Sequence, residues 1–139
     1  MTPSSPETKS RTGLVRSLST AALKPVEMAG VAGVKMAVMV GREDGAPNFA
    51  LRQFKVEPGG HSPRHSHDYE HEVYIVEGGG TVLLNGKEQP IKAGDVVYVP
   101  ADHEHQFRAA AGSAAGSGGM TFLCLVPVTR NCGDPTPGS

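Results

Sequence analysis

The glycines and prolines of this chain, 18 and 11 of its 139 residues, constrain it most, because they cut it into apolar runs too short for helices. The runs are VKMAVMV (34–40), NFALRQFKV (48–56), EVYIVEG (72–78), TVLLN (81–85), EQPIK (88–92), DVVYVP (95–100), HQFRA (105–109) and MTFLCLVPV (120–128). They are rich in Val, Ile, Leu, Phe and Tyr, and no long stretch shows the spacing of an amphipathic helix, so the chain reads as all-β. Asn85-Gly86 lies between two of the runs and suits the positive φ angles of a type I′ hairpin turn, which predicts a mostly antiparallel order.

This length supports one domain with a real core and is short for two. We place the domain at 29–130, between a flexible arm at 1–28 and a flexible tail at 131–139. Residues 110–119, AAGSAAGSGG, are Ala/Gly/Ser with nothing to bury and read as a hairpin loop. The 13 Lys and Arg against 14 Asp and Glu leave no basic excess for a phosphate backbone, which argues against nucleic acid as a partner. No apolar run approaches the roughly 20 residues that span a bilayer. The N-terminus lacks the continuous apolar core of a secretory signal, and two cysteines make no disulfide framework. A cytoplasmic protein is expected.

The six histidines lie in two short windows, His61, His65, His67 and His71 in the first, His103 and His105 in the second. Residues two apart in a strand share a face, about 6.6 Å apart along the chain. His65 and His67 can therefore aim at one point, where a divalent metal about 2 Å from each nitrogen is the usual occupant. A β-barrel or sandwich can fold the second window back beside the first. His61, after the Gly59-Gly60 turn, and His103, before Glu104, read as solvated groups or neighbours of a ligand.

The first window fits the first cupin motif: Gly, five residues, His-x-His, four residues, Glu, six residues, Gly, at Gly59, His65, His67, Glu72 and Gly79. The second fits the second cupin motif with Gly94, Pro100 and His105, except that Asp102 and Ala109 stand where that motif has Gly and Asn. The chain thus resembles the cupins, which implies a single-domain jelly-roll β-barrel. The runs APNFALRQFKVEPGG, RHSHDYEHEVYIVEG and FLCLVP further resemble the small cupins that hold manganese with four histidines. That resemblance implies His65, His67, His71 and His105 as ligands.

His71 and Glu72 are neighbours, so in a regular strand only one can face inward. The general motif chooses Glu72 and the four-histidine cupins choose His71; hydrophobic alternation does not decide, and the closer resemblance favours His71. Four imidazoles leave the ion its full charge, whereas a carboxylate lowers it by one. By the same resemblance Arg52 points inward, where it could bind a carboxylate or enolate. Phe122 and Cys124 line the pocket, Cys124 as a small apolar group, and Tyr69 is placed to gate the opening.

The resemblance implies, as a first reading, a metal-dependent oxidoreductase of dioxygenase type, with O₂ beside a small organic substrate and oxidative C=C cleavage as one permitted reaction. The alternatives are a non-redox isomerase or lyase acting on a sugar or keto acid, with Glu72 or a histidine as base, and a small-molecule or metal-binding module without turnover. Imidazoles suit Mn, Fe, Ni, Cu and Zn alike; the resemblance puts Mn first and Fe next. It also implies a homodimer, with the strand at Val34–Val40 contributing by edge pairing.

Overall fold

The computed structural model describes residues 12–112 and 118–129. Eight strands occupy most of that length: β1 (Lys24–Pro25), β2 (Ala32–Val40), β3 (Phe49–His61), β4 (His71–Leu84), β5 (Lys87–Lys92), β6 (Val96–Val99), β7 (His105–Ala109) and β8 (Met120–Pro127). Two single-turn 3₁₀ helices, Leu18–Thr20 and Arg42–Asp44, are the helical elements among the described residues.

All strand pairings are antiparallel, and four of them close a ring: β3 pairs with β8, β8 with β4, β4 with β7, and β7 with β3 through His61 and Arg108. A closed ring removes the open edges of a sheet. β2 extends the wall beyond β3, while β5 and β6 extend it beyond β4. The interior is filled by Val73, Ile75, Val82, Val99, Phe107, Phe122 and Val126, all nearly inaccessible. Alternation produces this directly, since Val73 and Ile75 face inward and Glu72 and Tyr74 outward along β4.

Asn85 and Gly86 have φ of 49° and 89° and join β4 to β5 in the expected hairpin, with Leu84 opposite Lys87. Pro90 lies within β5, which among the described residues pairs with β4 alone and can spare a donor on its other side. The runs 72–78 and 81–85 are one strand and not two: β4 passes through Gly78, Gly79 and Gly80 without breaking. Its first half pairs with β6 and β8, and its second half with β5 and β7.

Residues 12–28, part of the segment read as an arm, include β1, which pairs through Lys24 with Met36 and through Pro25 with Lys35. The sheet thus begins before residue 29. Arg16 donates to the Met39 carbonyl at 2.6 Å and to both carboxylate oxygens of Asp44. Much of the β2 edge expected to pair with a second copy is therefore covered by the chain itself. The tail 131–139 and residues 113–117 of the Ala/Gly/Ser run lie outside the described residues. No helix among the described residues is long and apolar enough to cross a membrane.

Candidate metal centre

Backbone pairing assembles the centre first. The His65 N–H donates to the His105 carbonyl at 3.1 Å, and the His105 N–H donates back to the His65 carbonyl at 2.8 Å. This isolated bridge joins the two histidine windows. The Asp102 N–H, in turn, donates to the His67 carbonyl at 2.6 Å. Asp102 takes a φ of 67°, a left-handed conformation that Asp tolerates better than most residues. Asp in place of the motif's glycine therefore keeps the turn that holds His67.

The His67 ring centroid lies 4.5 Å from those of His65 and His71 and 4.9 Å from that of His105. His65, His67 and His105 each bring one ring nitrogen within 4.8 Å of the others. His71 adjoins this set, with Nε2 3.1 Å from His67 Nδ1 and Nδ1 3.0 Å from Cys124 Sγ. His105 Nδ1 is 2.9 Å from the His103 carbonyl, so that nitrogen carries the proton and donates, leaving Nε2 as the donor atom toward the cluster. Tyr69 stacks on His67 with centroids 4.4 Å apart, bracing that ring.

Burial is the main force on the protonation of these rings. It lowers His65 and His67 to about 4 and His71 to about 2, and His105 is lowered for the same reason. Neighbouring rings add to the effect for His65, His67 and His71, because a second charge beside the first is unfavourable. Neutral imidazoles are the form that ligates a metal. Among the described residues the buried Nε2 of His67 has no hydrogen-bond partner, and a cation would satisfy it. The donor set and this orphaned nitrogen both fit a divalent transition metal.

The depressed values predict how the metal-free protein responds to acid. Near pH 7 the rings are neutral whether the chain is folded or not. Below the ordinary value of 6.5 the unfolded chain takes up protons that folded His65 and His67 refuse until about pH 4. Stability is therefore lost as pH falls through that window. The melting temperature of chelator-treated protein should be flat above neutrality and should drop steadily from about pH 6.5 toward 4. A melting temperature that rises on acidification would show that the rings are not held neutral by burial.

The histidines border a cavity of about 60 Å³, lined on its polar side by Arg52, His65, His71 and His105. Phe122 and Cys124 are on its wall, and both are buried. Arg52 is 1% exposed, and its guanidinium lies over the Phe54 ring at 5.1 Å with one nitrogen 3.8 Å from Cys124 Sγ. Glu72 is elsewhere. It lies exposed on the outer face of β4, opposite Tyr98 of β6 and Leu125 of β8, with its carboxyl raised chiefly by a hydrogen bond to Glu70. The alternation of β4 places His71 inside and Glu72 outside, so the base suggested for Glu72 has no access to the cavity.

His61 and His103 stand outside the cluster. His61 Nδ1 lies 3.1 Å from the Ser62 carbonyl, and His103 contributes its backbone to His105. The apolar side of the cavity includes Val26, Met28 and Val31, from a segment that no motif marked as part of a site. They stand in the stretch PVEMAGVA among small residues and a single charge, Glu27, a pattern with no mark of a site.

The closed β-barrel with a histidine cluster turned into its interior defines a class of small barrel proteins suited to holding a metal. A family model described as a cupin domain matches residues 52–117. The chain is 33% identical over 97 residues to an oxalate-binding protein of Thermotoga maritima, covering 67% of this chain and 74% of that one. It belongs to the cupin family. It is also 38% identical over 81 residues to 1-methylthio-D-xylulose 5-phosphate methylsulfurylase of Rhodospirillum rubrum, covering 58% of this chain. The aligned part spans about half of that relative, 49% of its length. Among solved structures, the polyketide cyclase RemF of Streptomyces resistomycificus superposes with a TM-score of 0.76 at 25% identity, over 84% of this chain and 80% of that one.

Proposed function

We propose that the chain is a metal-dependent oxidoreductase of dioxygenase type, acting on a small organic substrate that carries a carboxylate or enolate oxygen. One observation carries the reading: Arg52, His65, His71 and His105 share the wall of one small, mostly apolar cavity. His65, His67, His71 and His105 would hold the ion, Mn by resemblance and Fe next, although Ni, Cu and Zn suit the same donors. When bound, the ion supplies Lewis acidity and, if redox-active, electron exchange with O₂.

The chain's own residues supply the rest. Arg52 gives a planar, permanently charged fork that orients an anionic oxygen. Phe54, Phe107 and Phe122, stacked at 5.1 and 4.9 Å, exclude water and strengthen that charge interaction. Among the described residues no carboxylate lies on the cavity wall, so proton transfers fall to the imidazoles, which counts against an isomerase that relies on Glu72. Oxidative C=C cleavage is the finer form of the proposal, both atoms of O₂ ending in two carbonyl products.

Binding without turnover is favoured by the cavity's size and by the oxalate-binding relative. A volume of about 60 Å³ holds a few waters or a compact anion. Homodimerisation and a cytoplasmic location belong to the same reading and rest on the sequence alone.

Oxygen uptake by Mn- and Fe-loaded protein, measured with oxalate and with short enolisable keto acids, separates these readings. The expected result is uptake in step with product, and at least about tenfold weaker anion binding in Arg52→Met, which removes the charge and keeps much of the bulk. Product formed without oxygen would replace the oxidoreductase with non-redox chemistry. Tight binding with no product would leave a binding protein.

A further inference from the structure

Part of the cavity wall comes from the start of the described chain. β1 has two residues, and Val26 continues its pairing by donating to the Val34 carbonyl at 2.9 Å. The chain then turns, with the Val31 N–H donating to the Met28 carbonyl at 3.3 Å and Gly30 at a φ of 84°, before entering β2. Val26 and Val31 pack on the core cluster. Met28 also borders the cavity but is 40% exposed, so it stands where the cavity meets solvent. Cys124, 3% exposed, is also on the wall of this cavity.

We infer that Met28, seated by Val26 and Val31, sets the size limit on what reaches the histidine cluster and Arg52. Two features of the cavity fix that limit. The space is about 60 Å³, less than half the roughly 150 Å³ of an apolar cavity that admits benzene. The side chain at its mouth is unbranched with three rotatable bonds, so it fills irregular space without a fixed shape. Compact ligands, a dicarboxylate of a few carbons or a diatomic molecule, fit behind it. A ligand with an aromatic ring requires Met28 to leave. Substitution of this residue changes ligand size and leaves the charged wall as it is.

The inference takes its biological meaning from the proposed function, but its test does not depend on that reading. Cys124, buried in the cavity wall, reports steric access whether or not the site turns over a substrate. In the 139-residue chain carrying Cys132→Ser it is the remaining cysteine, because this sequence has two. Its labelling by methyl and by benzyl methanethiosulfonate can be followed by intact mass, each rate divided by that of the same reagent with free cysteine. The protein should discriminate against the benzyl reagent by about tenfold or more, the scale on which pockets resolve small differences in bulk. Met28→Ala should remove most of that discrimination while changing the methyl rate by less than about threefold. Met28→Leu, which keeps the bulk, should retain it.

Val31→Ala, which weakens the seat of Met28, should fall between wild type and Met28→Ala, with circular dichroism confirming a folded barrel. An unchanged ratio in Met28→Ala, or equal acceleration of both reagents, would overturn the inference. If the ratio shifts as expected and oxalate still fails to bind metal-loaded protein, the size limit stands and the carboxylate reading of the site fails.

Discussion

His71→Ala should lose bound metal, and Glu72→Ala should keep it. The two residues are adjacent, and the pleat of β4 decides between them. His71 is 6% exposed and lies opposite Val99, while Glu72 lies opposite Tyr98 on the outer face. The His71 ring sits within 3.1 Å of His67 and faces Cys124, so its removal takes a donor from the cluster and leaves a hole in the wall. Four-donor structural zinc sites bind with roughly 10–16 kcal/mol, about 3 per donor, so losing one donor should weaken binding about a hundredfold. Elemental analysis of dialysed protein, with a titration of each variant, reads the difference. Retained metal in His71→Ala together with loss in Glu72→Ala would mean that β4 is rotated by one residue about its axis, placing Tyr74 in the core.

The sequence could not make this choice because both alternations along EVYIVE are apolar enough to face a core: Val73 and Ile75 on one side, Tyr74 and Val76 on the other. Packing resolves it. Ile75 is fully buried and Tyr74 is 47% exposed, a distinction that depends on which strands lie over each face. The histidine windows were legible because ligands must be particular residue types at fixed spacing, and the Asn85-Gly86 hairpin because its turn demands positive φ. Met28 was not legible. It reaches the cavity through a two-residue pairing of β1 with β2, and nothing local to Val26–Val31 announces that partner. Asp102 shows the converse, a departure from pattern that reads as a defect until its backbone is seen to hold the His67 loop.

Gly80→Ala should cost about 3 kcal/mol or more of a total stability of roughly 5–15, the larger end of overpacking effects. Read as a strand breaker, the Gly78-Gly79-Gly80 run instead lets one strand serve both halves of the barrel. At Gly80, β4 lies between Ile91 of β5 and Ala109 of β7. A Cβ added there would collide with the Arg108 carbonyl and stand 2.9 Å from the Ala109 Cα, both backbone, so no side-chain rotation relieves it. β7 would have to withdraw. His105 begins β7, opposite Leu84, and His71 begins β4, so the same displacement separates two members of the metal cluster. Urea unfolding should therefore show a lowered midpoint with a similar slope, and metal affinity should fall although no ligand has been touched. Thr81→Ala, one residue along the same strand, adds no atom and should unfold near the wild-type midpoint. A Gly80→Ala protein with wild-type stability and metal affinity would show that β4 and β7 approach less closely than the closed ring requires.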